Sequence, residues 1–509
     1  MNLDTLENMC VNAINKYVWS VVGALEAQDS KMNRKTRDVL QSVKSYLANN
    51  LHPVLIDLLL NRLPGPNFFR CGFRVDIKEQ MFLEVFCHEN MIRFNPKFFL
   101  QYPPAGFYER KISMMSNIVE LNLRLVATDE ILKVVGESCS KLEVINIISR
   151  MGAPCNKMNA LRLECMLSDS GLKYLHSCTR LRRIIMRKVT GSRCGGKRVT
   201  DAGIRQLLEA LPRLQYIKYN NMGYVVSQFD FNTRFPDERL HLDLLHLHDN
   251  RSSVDHIKKI AALCPKLKTL CLDVHSSGSA QDNGEPGQCL KRLSEVGLNL
   301  EALSLDGFPC DEHFLRYFQL KGSNLRHLIL HFSKDVPAES LLLSIGESCP
   351  NLVSLDLFGR NNSSSGASIK LSSYRGKYFH KLESLRVLGS QLDFETILNV
   401  CVRGANNLEL IRIVNNVSDK PSRSALSQLM ECPCFPRLRW FVCHGFLLDV
   451  DHLLKFLRTA VSLEKVSITA HSGTSFYLDY LEDIKVTQNL RYVITPDEPR
   501  HEGCFCVNI

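Results

Sequence analysis

The sequence lacks the features that place a chain in or across a membrane. Its apolar runs are all shorter than the roughly 20 residues that a membrane-spanning helix needs. The first residues, Met1-Asn-Leu-Asp-Thr-Leu-Glu, contain no basic segment followed by an apolar core, so they predict no signal peptide. We therefore expect a cytoplasmic or nuclear protein.

A strong charge of one sign is also missing. Lys and Arg total 63 and Asp and Glu total 53, which gives a net charge of +10 over 509 residues. The acidic residues are interleaved with the basic ones, so the chain has no extended basic field of the kind that attracts nucleic acid. We expect protein partners and no nucleic-acid partner.

Catalytic and metal-binding groupings are missing as well. The stretch from Gly191 to Lys197 has the spacing of a phosphate-binding loop, but Arg198 follows where Ser or Thr is needed to hold Mg²⁺. His241 and His246 fall on opposite faces of an extended strand, so together with His248 they do not converge on a metal ion. The sequence predicts no enzyme activity, no metal and no cofactor.

Cysteine, in contrast, is abundant, with 19 residues. Most of these cysteines fall at one position of a repeat or inside apolar segments, where a thiol acts as a small buried hydrophobic group. This placement predicts free thiols in a reducing compartment rather than disulfides.

A repeated motif organises most of the chain. The pattern C-x-x-L-x-x-L-x-L starts at Cys139, Cys178, Cys264 and Cys349. Weaker copies without the cysteine start at Ile118, Met158, Leu214, Leu240, Leu300, Leu325, Leu382, Leu408, Leu438, Leu463 and Leu490. The period is roughly 23 to 33 residues over about fifteen copies, which is typical of long leucine-rich repeats.

Each copy predicts one strand and one helix. Ser168-Asp169 and Thr200-Asp201 supply oxygens that cap a helix start, and apolar residues at helical spacing follow. A period-2 apolar segment then predicts a strand. Because no single unit buries its apolar face alone, the copies must stack into a solenoid whose strands line the concave side.

The motif resembles the cysteine-containing leucine-rich repeats of the ribonuclease-inhibitor and F-box/LRR families. This resemblance implies an α/β fold, a horseshoe solenoid with a parallel sheet on its concave face. We expect a helical adaptor-binding region over 1–65, a cap over 66–115, about 14–15 repeats over 116–495 and a tail over 496–509. Aromatic residues of the cap should cover the first repeat: Phe82, Phe86, Phe94, Phe98 and Phe99.

Two short N-terminal segments resemble the adaptor-binding boxes of ubiquitin-ligase receptors. Leu6, Cys10 and Ile14 recur every fourth residue and resemble the elongin-BC box of VHL-box and SOCS-box proteins. The segment with Pro53, Ile56 and Leu60 resembles the cullin box of VHL-box receptors of the Zyg/Zer type. That resemblance implies that the first three residues bind an elongin adaptor and that the second three contact a cullin.

One departure and two alternatives bear on that interpretation. His52 stands where the cullin box usually has an apolar residue. An F-box bound to a Skp-type adaptor also begins with a proline-led apolar helix ahead of leucine-rich repeats. An N-terminal amphipathic helix also serves as a plain cap of the solenoid, as in an interaction scaffold with no ligase attached.

The positions between the strand leucines predict where a protein substrate binds. In x-L-x-L-x the leucines point into the core and the other residues face the concave surface. The predicted substrate-binding residues are Arg183, Arg187, Tyr216, Lys218, Asp273, Asp306, His327, Asp356, Phe358, Arg386, Arg412, Trp440 and His444. Exposed arginines and aromatics on a rigid surface are the residue types that dominate protein interfaces.

The last cysteine is a candidate lipid site. Cys506 begins a terminus of the C-a-a-X type, but Asn508 occupies a position where an aliphatic residue is preferred. Lipidation there would be the one route to a membrane. Taken together, these resemblances imply a substrate-recognition subunit of a cullin-RING ubiquitin ligase.

Overall fold

The computed structural model describes the following residues: 3–28, 34–62, 77–96, 104–124, 126–147, 167–186, 199–219, 222–229, 240–247, 254–273, 285–332, 338–359, 378–389, 394–402, 404–414, 435–444, 456, 460 and 462–468. The chain divides into two compact units. Unit 1 comprises Met1–His246 and Leu263–Lys266, and unit 2 comprises Leu247–Ala262 and Leu267–Ile509.

Within the described residues, unit 1 begins with four helices that precede the repeats. They are α1 (Leu3–Gln28), α2 (Arg34–Asn50), α3 (Pro53–Arg62) and α4 (Ile77–Phe86). Their apolar residues recur at helical spacing, and Val11, Val18 and Val22 of α1 are all buried. Trp19 of α1 packs on Phe82 of α4 with 4.4 Å between ring centroids.

The rest of unit 1 alternates strands with helices. Its strands are β1 (Arg93–Phe94), β2 (Glu120–Asn122), β3 (Val144–Asn146), β4 (Arg183–Ile185), β5 (Tyr216–Lys218) and β6 (Leu244–Leu247), whose last residue is assigned to unit 2. Its helices are α5 (Phe107–Ser113), α6 (Asp129–Ser138), α7 (Asp169–Tyr174), α8 (Asp201–Ala210) and α9 (Met222–Ser227), with a short 3₁₀ turn at Leu175–Ser177. Successive strands pair in parallel.

Unit 2 continues the same alternation. Its strands are β7 (Thr269–Asp273), β8 (Ala302–Asp306), β9 (His327–Phe332), β10 (Ser354–Gly359), β11 (Ser384–Leu388), β12 (Leu410–Val414), β13 (Trp440–His444) and β14 (Lys465–Ile468). Its helices are α10 (Val254–Leu263), α11 (Glu285–Glu295), α12 (Glu312–Lys321), α13 (Ala338–Ser348) and α14 (Phe394–Val402), with a 3₁₀ turn at Gly322–Asn324. These strands also pair in parallel with their neighbours in sequence.

The prediction of an α/β repeat fold, with parallel strands that alternate with helices, is confirmed. Each predicted repeat copy within the described residues carries one strand, from β2 to β14. The copies that start at Met158 and Leu490 lie outside the described residues. Buried and accessible residues alternate along β9, β11 and β12, as expected for strands with one face on the core.

A series of capped helix starts links consecutive repeats of unit 1. Ser168 caps α7 by accepting a hydrogen bond from the Ser170 N–H at 3.2 Å, as the sequence predicted. The carboxylate of Asp129, which opens α6, accepts hydrogen bonds from the Ser168 N–H at 2.9 Å and from the Ser168 hydroxyl at 2.6 Å. Asp169 accepts the equivalent pair from Thr200, at 2.8 and 2.6 Å. Each repeat therefore fixes the cap of the next.

The repeat cysteines are buried, as predicted. Cys139, Cys178, Cys264 and Cys349 are free thiols within the core. Burial raises the pKa of Cys139, Cys264 and Cys349 to about 12 and that of Cys178 to about 11. These thiols stay neutral and serve as packing groups.

The aromatic cap is present as far as the structure describes it. Phe82, Phe86 and Phe94 are fully buried, whereas Phe98 and Phe99 lie outside the described residues. The strand β1 already joins the sheet within this segment, pairing Arg93 with Glu120. The four segment boundaries drawn from the sequence remain predictions.

Candidate protein-binding sites

Helix α1 presents an apolar face to solvent. Met9 and Tyr17 are 55% and 60% exposed, and Cys10 and Ala13 are exposed as well. Ile14 is half-buried beside them. Residues three, four and seven apart lie on the same side of a helix, so these five side chains form one surface, called here the α1 face.

The α1 face includes two of the three residues that the sequence predicted to bind an adaptor. Cys10 lies at its centre and Ile14 at its edge. Leu6 lies on α1 one turn before Cys10, and its side chain is outside what the structure describes. The predicted ridge is therefore at the surface wherever the structure describes it.

On helix α3, in contrast, two of the predicted partner-binding residues are buried. Ile56 and Leu60 are 2% and 0% exposed, because α3 packs against α1, α4 and β1. The buried carboxylate of Asp57 fixes this packing by accepting hydrogen bonds from the N–H groups of Ile92 and Arg93, at 3.1 and 2.9 Å. This corrects the prediction that Ile56 and Leu60 contact a cullin, since their side chains belong to the core.

The start of α3 keeps some accessible surface. The helix begins at Pro53, whose side chain is outside what the structure describes. Val54 is 44% exposed and His52 is exposed. The first turn of α3, rather than its middle, is the part of this segment that a partner can reach.

The strand face of unit 1 carries a cation–π pair. Arg183 on β4 is exposed, and its guanidinium lies 5.5 Å from the centroid of the Tyr216 ring on β5. The two residues are register partners. Lys218 is on β5, but the structure does not describe its side chain. Arg187 lies outside the described residues.

The strand face of unit 2 carries the remaining predicted positions. They are half-buried or exposed, except for Asp356: Asp273, Asp306, His327, Phe358, Arg386, Arg412, Trp440 and His444. The strand register aligns Asp356, Arg386 and Arg412 as direct neighbours on β10, β11 and β12. We call these three residues the central row.

Asp356 is the exception because it is only 5% exposed. Its carboxylate lies 3.5 Å from the Arg386 guanidinium, and burial raises the pKa of Asp356 although Arg386 opposes that rise. The prediction that Asp356 contacts substrate is therefore corrected. The described partner of its carboxylate is Arg386 of the same sheet.

Three of the described histidines border the strand face, and two of them have lowered pKa values. Burial lowers the pKa of His327 and of His444, and for His444 the nearby Arg412 lowers it further. A ring nitrogen of His444 lies 3.0 Å from the Ser467 hydroxyl. His331 stacks on Phe358 with 4.3 Å between ring centroids.

The sequence interpretation missed the aliphatic residues of the same face. Leu388 and Val414 follow Arg386 and Arg412 by two residues, so they face the same side, and both are half-buried. They are register partners. The sequence shows that both residues have the same strand parity as Arg386 and Arg412, but the predicted substrate-binding residues were chosen among charged and aromatic ones.

Other predicted sites stay untested. Among the described residues, no group of three or more His, Cys, Asp or Glu side chains is placed to hold a metal ion. Cys506 and the loop with Gly191 lie outside the described residues. None of the described helices is both long and apolar enough to cross a bilayer.

Comparison with known proteins supplies no family assignment. No family model matches the chain, and no curated protein matches it. Among solved structures it is similar to the yeast Rad7–Elc1 complex at 13% identity and a TM-score of 0.40, over 92% of this chain and 94% of that chain. It is also similar to the TLR13–ssRNA13 complex at 13% identity and a TM-score of 0.27, over 77% of this chain and 64% of that chain. Values this low say nothing about what this chain binds.

Proposed function

We propose that the chain is a substrate receptor of a cullin-RING ubiquitin ligase. Helix α1 binds an elongin C adaptor in complex with elongin B, and the repeats hold a protein substrate. The observation that carries the proposal is the solvent-exposed α1 face, which has Cys10 at its centre and matches the spacing of an elongin-BC box.

The chemistry of the α1 face suits a partner groove. Met9 and Tyr17 are large apolar side chains left more than half exposed, and contiguous exposed apolar surface marks interaction sites. An amphipathic helix laid in a groove buries such residues at helical spacing. Complete burial of one such side chain contributes about 1.5–3 kcal/mol.

A cap role alone does not account for α1. The opposite face of α1 is the packed one, where Val11, Val18 and Val22 are buried and Trp19 packs on Phe82. A helix that served only as a cap would carry polar residues on its outer side. The α1 face is apolar instead, which supports a second, intermolecular role.

The proposed mechanism is proximity. The receptor contributes no catalytic residue; it holds a substrate near a charged conjugating enzyme and so raises the effective concentration of substrate lysines there. In this proposal the cullin contact uses the accessible start of α3, near Val54, rather than Ile56 and Leu60.

Co-purification with elongins B and C tests the proposal. The full chain should retain both elongins, and Cys10→Glu should release them because the charge would be buried in an apolar groove. The matched control is Asn12→Glu, which puts the same charge on an exposed position of α1 outside the α1 face. Equal retention by the two variants would contradict the proposal.

The same experiment separates the alternatives. Recovery of a Skp-type adaptor in place of the elongins would favour an F-box receptor, and recovery of neither would favour a scaffold. Point variants are preferable to deletion of residues 1–65, because α1 and α3 contribute buried residues to unit 1, and their loss would damage its core.

A further inference from the structure

The central row of unit 2 carries more positive than negative charge. Arg386 and Arg412 are register partners on β11 and β12, and adjacent strands lie about 4.8 Å apart. Asp356 offsets Arg386 from the other side, at 3.5 Å. Within the described residues, Arg412 forms no ion pair and is exposed. The row therefore has one positive charge in excess, at its accessible end.

Nearby acidic residues do not remove that excess. Glu383 and Glu409 are exposed just before β11 and β12, three residues ahead of Arg386 and Arg412. Both glutamates lie before the strands begin, three residues from the arginines and therefore about 10 Å away along the extended chain. The next residue along the row is Val442, the register partner of Arg412, which adds no charge.

Apolar side chains flank the row on both sides. Toward the carboxyl ends of the strands lie Phe358, Leu388 and Val414, in register and half-buried. Toward the amino ends lie Leu410 and Trp440, also in register, with Trp440 46% exposed. Every second residue of a strand is about 7 Å along it, so Leu388, Val414, Leu410 and Trp440 lie within one side chain's reach of Arg412, and Phe358 lies beside Leu388.

We propose that this surface binds an extended segment of a protein substrate in which an acidic side chain stands next to an aliphatic or aromatic residue. The carboxylate pairs with Arg412 and Arg386, because guanidinium groups bind carboxylates in a bidentate geometry. The neighbouring apolar side chain packs on Trp440 or on Leu388 and Val414. This inference rests on the proposed function for its biological setting, since it names the kind of segment the receptor holds.

Charge complementarity selects this occupant over others. A basic segment would meet the excess positive charge and be repelled, and a purely apolar segment would bury Arg412 unpaired. An acidic residue beside an apolar one satisfies both the arginine and its flanks. The buried Asp356 competes for Arg386, so it limits how tightly the segment binds.

A peptide array tests the inference with the purified full chain. The probes are short peptides, acetylated and amidated at their ends, with Glu, phosphoserine, Gln or Lys at one position and Leu, Phe or Ser at the next. We expect the Glu-Leu and Glu-Phe peptides to bind about tenfold more tightly than their Gln counterparts. Arg412→Gln should abolish that preference, and Trp440→Ala should weaken the preference for Leu and Phe over Ser.

Two further variants test whether a change in peptide binding comes from damage to the fold. Arg437→Gln removes an exposed arginine at the turn before β13, off the strand face, and should leave the preference intact. Asp356→Asn should raise the affinity for Glu peptides, an outcome that simple damage to the fold would not produce. Variants are compared only after their melting temperatures have been measured.

The outcomes are distinct. Equal binding of Glu and Gln peptides, binding of phosphoserine peptides alone, or an unchanged preference in Arg412→Gln would each overturn the inference. Elongin retention, measured on the same preparations, is independent of it. A chain that keeps its elongins but shows no acidic preference would refute only this inference, whereas the reverse would refute only the proposed function.

Discussion

Helices α1 and α3 carry similar apolar spacing but use it differently. In α1, Cys10 and Ile14 lie on a face that is open to solvent, whereas in α3, Ile56 and Leu60 are core residues. The difference comes from what packs around each helix: α3 contacts α1, α4 and β1, while the α1 face has no described neighbour over it. Helical spacing identifies a face, and the surrounding elements decide whether it is core or interface.

The largest loss of stability should come from shortening a buried side chain of α3. Leu60→Ala removes a fully buried side chain and should cost about 2–5 kcal/mol of the free energy of unfolding. Urea denaturation measures it. Val54→Ala on the exposed side of α3 is the control and should stay within about 0.5 kcal/mol. Similar losses for both variants would mean that α3 is not packed as described.

A smaller loss of stability should follow from removing the hydrogen bonds that Asp57 of α3 accepts. Asp57→Ala leaves the N–H groups of Ile92 and Arg93 without their acceptor and should cost about 1–3 kcal/mol. Thermal unfolding compared with Asp38→Ala, an exposed carboxylate on α2, measures the difference. If the two substitutions are equally mild, Asp57 does not fix α3 to β1.

A substitution on the α1 face should change the stability least and the binding of the adaptor most. Tyr17→Ala should change the free energy of unfolding by less than about 0.5 kcal/mol, because Tyr17 is 60% exposed. Elongin affinity should fall by about 1–3 kcal/mol if Tyr17 anchors the interface. Calorimetric titration with the elongin B–C complex measures that affinity, and an unchanged value would remove Tyr17 from the proposed site.

The repeats were predictable from the sequence because their signals are local. The leucine spacing predicts the strands, and Ser168 and Thr200 predict the helix caps. Strand β1 was missed because Arg93-Phe94 is too short to show a period.

The burial of some predicted site residues could not be predicted, because it depends on contacts with residues far away in the sequence. Asp356 is a register partner of Ile329 and of Arg386, which lie on the two neighbouring strands and about 30 residues away in the chain. The burial of Ile56 and Leu60 depends on the packing of α3 against α1, α2, α4 and β1, which come from other parts of the chain. Spacing alone does not report such contacts, and so the sequence treated these residues as surface.

The thiol of Cys10 offers a direct probe of the α1 face. Cys10 is exposed, whereas Cys139, Cys264 and Cys349 are buried with pKa values raised to about 12, so little of their reactive thiolate forms near pH 8. Alkylation of the folded chain should therefore modify Cys10 much faster than these three repeat cysteines. Mass spectrometry of the separate peptides resolves each site.

The most direct test of the account is the alkylation rate of Cys10 with and without the elongin B–C complex. If the adaptor covers the α1 face, the rate should fall by at least about tenfold at saturating adaptor, while the Asn12→Glu control behaves like the unmodified chain. An unchanged Cys10 rate at saturating adaptor would contradict the proposal that α1 is the adaptor-binding helix.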